Sequence, residues 1–149
     1  MIAVIGGRRV GDELLSEAEE VGRLIAESGA VLICGGLQGV MEAAARGAKT
    51  AGGVTVGILP QDHARDANRY IDIPIATGFG MGRNVIIART ADALIAVGGQ
   101  YGTLSEIAFG LQLGKPVVGV RSWDIEGVIT AGSAKEAVLR VHELIETRM

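Results

Sequence analysis

A chain of 149 residues with 48% hydrophobic and 21% charged side chains is long enough for one domain with a buried core, and this composition argues against disorder. The net charge of −3 comes without a block of Lys and Arg, which argues against a nucleic-acid surface. No apolar run reaches the roughly 18 residues of a membrane span, and the single cysteine, Cys34, cannot form an internal disulfide. We therefore expect one cytoplasmic domain over residues 1–149.

Apolar runs and helical repeats alternate along the chain. The runs predict strands at 1–5, 30–34, 54–59, 93–97 and 117–120, and a shorter, edge-like strand at 71–75. Apolar residues at helical spacing predict helices that begin at the N-cap Asp12, at 40, at 83, at 104 and after the N-cap Ser133. The polar segment 60–70 is interpreted as a lid or as a surface segment. Strands that are apolar on both faces need helices on both sides, so the pattern predicts an α/β fold with one doubly wound, mainly parallel, Rossmann-like sheet.

Three glycine-rich segments follow predicted strands. The carboxyl ends of parallel strands meet at one edge of the sheet, where ligands bind in folds of this class. The first segment is Gly6-Gly7-Arg8-Arg9, and its third residue, Arg8, excludes the dinucleotide fingerprint G-x-G-x-x-G. Gly7 and the two arginines, Arg8 and Arg9, are candidates for contact with an anion, and a solvated surface loop is the equal alternative.

The other two segments share the spacing Gly-Gly-x-x-Gly. Gly98, Gly99 and Gly102 stand between the strand at 93–97 and a helix that opens with Thr103. Bare backbone N–H groups at the positive end of a helix dipole form an anion site, and phosphate is the usual ligand there. This segment is the strongest indication of function in the sequence.

The earlier copy consists of Gly35, Gly36 and Gly39, followed by Met41. Glycines of this kind also serve tight turns and close packing of helix on strand, so one copy alone is weak evidence. Two copies at equivalent places predict a bipartite site in which each loop binds part of one ligand.

Arg83 and Glu106 are the candidate catalytic residues. Glu106 completes a Thr103-x-x-Glu106 capping box, and the same position would bring a carboxylate near the sugar of a bound nucleoside monophosphate. Arg83 opens a helix where a cation opposes the dipole, which favours either a functional role or an ion pair with a carboxylate. No His or Cys residues have metal-ligand spacing, so we expect no metal site.

The stretches around Gly35, Arg83 and Gly98–Glu106 resemble the LOG family of cytokinin riboside 5′-monophosphate phosphoribohydrolases. The resemblance implies that Gly98, Gly99, Gly102 and Thr103 bind phosphate and that Arg83 and Glu106 form the catalytic pair. Asn84 replaces the Lys of the LOG pattern, and the run from Thr77 to Glu106 is most similar to a short LOG-like branch that includes molybdenum cofactor carrier proteins.

The resemblance leaves three functions open. The first is hydrolysis of the N-glycosidic bond of a nucleoside 5′-monophosphate, and the second is a non-catalytic carrier or sensor of a phosphorylated heterocycle such as molybdenum cofactor. The third is a nucleic-acid-processing module of similar fold. No resident cofactor is expected. The apolar helices that begin at Arg83 and Leu104 exceed what one small sheet needs as cover, so we expect a homodimer through them.

Overall fold

The computed structural model describes residues 1–149, and its centre is one seven-stranded sheet. The strands are β1 Ile2–Gly6, β2 Leu32–Cys34, β3 Thr55–Leu59, β4 Ile73–Ala76, β5 Ala93–Val97, β6 Val117–Val120 and β7 Ile129–Ala131. Their order is β4-β3-β2-β1-β5-β6-β7, and every neighbouring pair is parallel. The predicted doubly wound parallel sheet is therefore confirmed.

Five α-helices cover the two faces of this sheet. They are α1 Asp12–Glu27, α2 Val40–Thr50, α3 Arg83–Thr90, α4 Tyr101–Gln112 and α5 Ala134–Glu146. The larger core cluster joins α1, α2 and α5 to one face, and the smaller cluster joins α3 and α4 to the other. All five residues of β5 are buried because helices cover both of its sides, which explains its unbroken apolar sequence. No helix has the length and apolarity that a bilayer crossing requires.

The chain reverses its winding direction between β1 and β5. The strands β1 to β4 are added outward in one direction, and the chain then returns to place β5 on the other side of β1. The loops after β1 and β5 consequently diverge toward opposite faces and leave a crevice at the carboxyl edge. Ligands of open α/β sheets bind at such a switch point.

Several element boundaries differ from the sequence prediction. Strand β7 was missed because Ile129–Ala131 is only three residues long and lies at the edge of the sheet, where the apolar signal is weak. Gly11, and not Asp12, is the N-cap of α1, and no side chain caps this helix. The N-cap of α5 is Ser133, as predicted, and its hydroxyl accepts a hydrogen bond from the Glu136 N–H.

The segment 60–70 is held against the β2–α2 loop. Asn68 donates its backbone N–H to the Gly36 carbonyl at 2.9 Å, and its side-chain amide donates to the Leu37 carbonyl at 2.8 Å. A single 3₁₀ turn, Ala64–Asp66, lies within the segment. These bonds make it a fixed support for a neighbouring loop, and Pro60 at its start faces the crevice.

Candidate functional site

A cavity of about 860 Å³ lies at the switch point between β1 and β5. Its walls come from the β1–α1 loop, from the beginnings of α2, α3 and α4, and from Pro60. Few of the lining residues are hydrophobic, and these include Leu37, Met41 and Met81. A concave site of this volume is large enough for a nucleotide-sized ligand.

The β5–α4 loop supplies free backbone donors to this cavity. Helix α4 begins at Tyr101, and no carbonyl or side-chain oxygen accepts a hydrogen bond from the N–H groups of Gly102 and Thr103. A Cβ added to Gly102 would meet nothing within 4 Å. Gly99 adopts φ 126°, which L side chains rarely adopt, and this conformation turns the chain from β5 into the helix. The arrangement matches what an oxyanion requires: donors at a helix N-terminus with open space before them.

The predicted capping box is wrong. The N-cap of α4 is Gln100, and no side chain caps the helix. Thr103 and Glu106 are both inside the helix and buried, because α4 begins three residues earlier than the predicted Leu104. Glu106 is thus free of the structural role that its spacing from Thr103 suggested.

The loop after β6 holds the β5–α4 loop from behind. The Ser122 hydroxyl donates to the Gly98 carbonyl at 2.6 Å, and the indole N–H of Trp123 donates to the Gln100 carbonyl at 3.2 Å. The rings of Trp123 and Tyr101 stack with centroids 6.3 Å apart. These contacts fix the first turn of α4, so its amides point at the cavity without reorganisation.

The glycines of the β2–α2 loop serve packing. A Cβ on Gly35 would lie 2.5 Å from Arg83 Nη2, and a Cβ on Gly36 would lie 2.5 Å from Leu59 Cδ2. Gly39, at φ 71°, lies against the carbonyl oxygens of Gly7 and Arg8. None of these three glycines lines the cavity, whereas Leu37, Gln38 and Met41 of the same segment do.

The β1–α1 loop contributes two arginines to the opposite wall. Gly6, Gly7, Arg8 and Arg9 all line the cavity. Arg8 Nη2 donates to Gln38 Oε1 at 2.7 Å, which ties this loop to the start of α2. Arg9 is exposed, and its guanidinium has no hydrogen-bond partner in the protein.

Arg83 lies at the base of the cavity without a carboxylate partner. Its Nη1 donates to Asn84 Oδ1, its Nη2 lies 4.0 Å from Met41 Sδ, and its buried Nε has no partner. Burial lowers the pKa of the guanidinium, and the charge of Glu106 opposes that shift. The alternative that Arg83 forms an ion pair is wrong, because the two groups interact without a salt bridge, and Arg83 remains a cation able to bind an anion.

Glu106 is a buried acid that faces the cavity. Only 6% of the residue is exposed, and no group of the protein hydrogen-bonds its carboxyl. Burial raises the pKa of Glu106 to about 8, against the opposing effect of the Arg83 charge. The raised pKa favours the protonated carboxyl group near neutral pH, and in that form Glu106 can donate a hydrogen bond to a ligand.

The structure brings together seven of the residues that the sequence singled out and leaves five outside the lining. The seven are Gly7, Arg8, Met41, Arg83, Gly102, Thr103 and Glu106. The five are Gly35, Gly36, Gly39, Gly98 and Gly99. Arg9, the second arginine of the loop after the first strand, lines the cavity as well. The sequence prediction did not include Gln38, Asn84 or Gln100, although each is adjacent to a predicted site residue. That adjacency was the signal that could have found them.

A model of the SLOG cluster4 family matches residues 1–147. The chain belongs to the SLOG cluster4 family. This confirms the resemblance to LOG proteins, because the match covers nearly the whole chain and includes every residue that lines the cavity.

Three proteins that are similar to this SLOG cluster4 chain bear on its site. The molybdenum cofactor binding protein of Rippkaea orientalis has 36% sequence identity and a TM-score of 0.92, covering 97% of this chain and 96% of the other. The molybdenum cofactor carrier protein of Chlamydomonas reinhardtii has 35% identity and a TM-score of 0.88, covering 97% of both chains. A cytokinin riboside 5′-monophosphate phosphoribohydrolase of Mycobacterium tuberculosis is 36% identical over 120 residues, covering 74% of this chain and 64% of the relative.

Proposed function

We propose that this protein binds a small phosphorylated heterocycle in the switch-point cavity and carries it without transforming it. The observation on which this rests is the pair of unpartnered amides of Gly102 and Thr103, two residues that line the cavity together with buried Glu106. The phosphate accepts hydrogen bonds from these amides, and Arg83 adds positive charge at the base.

Molybdenum cofactor is the ligand that the relatives favour. Two solved proteins described as binding or carrying this cofactor match the chain over nearly its full length. In this proposal the cofactor is cargo, and the protonated carboxyl of Glu106 donates a hydrogen bond to its heterocycle. A neutral donor in a buried site suits a polar ring better than a carboxylate would, because a buried unpaired charge is costly.

Hydrolysis of a nucleoside 5′-monophosphate is the second candidate. The observation that favours it is the close placement of Arg83 and Glu106 in one cavity, together with the similarity to the mycobacterial phosphoribohydrolase. A protonated Glu106 would protonate the departing base as a general acid. Stabilising an oxocarbenium ion requires the ionised carboxylate, and burial disfavours that form of Glu106. For this reason we prefer the carrier function to hydrolysis.

A base-release assay over a panel of nucleoside 5′-monophosphates separates the two functions. We expect wild-type protein to release no base from any member while binding inorganic phosphate or a phosphorylated heterocycle in calorimetry. Release of a base that is lost in Glu106→Gln and Arg83→Ala variants would replace carriage with hydrolysis. Absence of both turnover and binding would overturn the phosphate site itself.

We also propose that the protein is a cytoplasmic homodimer formed through the α3–α4 face. Two helices cover this face and three cover the other, and large apolar side chains remain exposed beside α3: Ile73 at 49%, Ile75 at 45% and Met81 at 78%. Phe109 on α4 is 37% exposed. A size-exclusion profile at micromolar concentration should show twice the 15.4 kDa chain mass, and Phe109→Glu should shift it to the monomer. A wild-type monomer would refute the proposal.

A further inference from the structure

The charges that line the switch-point cavity do not balance. Arg8, Arg9 and Arg83 all line it, and none of them forms a salt bridge. Elsewhere in the chain, arginines pair with glutamates, as Arg46 does with Glu19 at 3.2 Å. The only carboxyl group in the lining is that of Glu106, and it forms no salt bridge with any of these three arginines. A protein of net charge −3 thus concentrates uncompensated positive charge in one crevice.

The positive groups occupy two separate parts of the cavity. The amides of Gly102 and Thr103 lie at the start of α4, which follows β5, and Arg83 lies at the base. Arg8 and Arg9 lie in the loop after β1, whose chain turns toward the other face of the sheet. Gln38 binds Arg8 from the side of α2, so the arginine loop and the start of α4 belong to different walls of the cavity. Arg8 is close enough to Arg83 for its charge to help lower the pKa of that guanidinium.

One phosphate at the α4 terminus leaves the arginine loop without a counterion. The volume of about 860 Å³ is in the upper part of the roughly 300–1,000 Å³ range of small-molecule sites, so a longer ligand fits. Arg8 and Arg9 also line a neighbouring cavity of about 220 Å³, together with Arg46 and Glu42. The main cavity is the larger of the two and also contains Arg83 and the start of α4, so it is the one that can hold both ends of a longer ligand.

We propose that the ligand carries a second anionic group, which Arg8 and Arg9 bind across the cavity from the α4 amides. The ligand class is a phosphorylated heterocycle with two separated anionic groups, such as a nucleoside 3′,5′-bisphosphate, in preference to a simple monophosphate. This inference rests on the proposed phosphate site at α4 and specifies what else its ligand must contain.

Matched probes test the second anionic group by calorimetry. The probes are inorganic phosphate and the common nucleoside 5′-monophosphates, each with its 3′,5′-bisphosphate. In wild-type protein we expect at least one bis-anionic probe to bind about tenfold or more tightly than its monophosphate, because a charge-assisted hydrogen bond is gained. Arg9→Ala should reduce that ratio to about one to three.

Arg89→Ala is the matched control, because it removes the same charge from an exposed position on α3 outside the cavity and should keep the ratio. Equal affinity of every monophosphate and its bis-anionic partner in wild-type protein would overturn the second site and leave the α4 site standing. A ratio that survives in Arg9→Ala would also overturn it. Failure of every probe, inorganic phosphate included, would overturn the proposed function together with this inference.

Discussion

The two Gly-Gly-x-x-Gly loops have the same spacing in the sequence and opposite roles in the fold. In the β2–α2 loop all three glycines are pressed against neighbouring atoms, and none lines the cavity. In the β5–α4 loop Gly98 and Gly99 are packed in the same way, but Gly102 faces open space at a helix N-terminus. The comparison shows that the same glycine spacing can have two origins: close packing in one loop, and in the other an unobstructed helix start at Gly102.

Gly39→Ala should produce the largest effect, since it adds a methyl group where the β2–α2 loop is tightest. The residue has φ 71° and lies against the carbonyl oxygens of Gly7 and Arg8, which are backbone and cannot move aside cheaply. We expect a loss of about 3–6 kcal/mol in the free energy of unfolding, from strain and overlap together. Urea denaturation followed by circular dichroism measures it, and stability within about 1 kcal/mol of wild type would refute the packing role.

The second-largest effect should be a pH dependence of the free energy of unfolding that comes from Glu106, beyond the β5–α4 loop, and not from Cys34, before the β2–α2 loop. Cys34, just before the first loop, has a pKa raised by burial to about 12 and stays neutral, whereas burial raises the pKa of Glu106 from 4.5 to about 8. Between pH 4.5 and about pH 8 the native state binds more protons than the unfolded chain, because Glu106 is protonated only in the native state. The free energy of unfolding should therefore fall as the pH rises through this range, by about 3–5 kcal/mol in total. Above pH 8 this dependence ends.

Unfolding measured from pH 4 to pH 9 tests this expectation. Glu106→Gln should remove most of the decline, because glutamine keeps the shape and does not ionise. Cys34→Ala is the matched control, since it leaves a small void yet should preserve the slope. A wild-type profile that is flat, or that rises with pH through this window, would show that Glu106 is ionised in the native protein.

Gly102→Ala should act on ligand binding and spare the fold. Its Cβ would meet no protein atom within 4 Å, so the free energy of unfolding should stay constant or rise by up to about 1 kcal/mol, because alanine favours helix. The added methyl group lies where the phosphate approaches, and we expect about tenfold weaker binding of inorganic phosphate in calorimetry. Unchanged affinity would remove Gly102 from the anion site.

Trp123→Phe should have the smallest effect and tests how the second loop is held. It removes the hydrogen bond to the Gln100 carbonyl and retains an aromatic ring beside Tyr101. We expect a loss of about 0.5–1.5 kcal/mol in unfolding, measured by circular dichroism. Trp123 is the only tryptophan, so its fluorescence emission in wild-type protein should change when phosphate binds. An unchanged emission spectrum would argue against coupling between the loop after β6 and the proposed phosphate site.

The sequence determined the alternation of strands and helices and, with it, the class of fold. Fully apolar runs such as 93–97 can be stable only between two helical layers, and the covered strand β5 bears this out. The edge of the sheet where the cavity lies was predictable too, because the glycine-rich segments at Gly6, Gly35 and Gly98 each follow a strand. Arg83, Glu106, Gly102 and Thr103 could be named in advance because they mark the starts of two helices at that edge.

Only the tertiary structure decided what these residues do. Whether α4 starts at Tyr101 or Leu104 depends on contacts with Ser122 and Trp123, which are distant in sequence, and that start determines whether Glu106 caps a helix or faces a cavity. The missing ion pair of Arg83 and the packing of Gly35, Gly36 and Gly39 likewise result from approaches between separate elements. The spacing of residues along the chain specifies local backbone conformation. Burial depends on contacts with elements that are distant in sequence, and burial in turn determines the charge state of a side chain and its access to ligand.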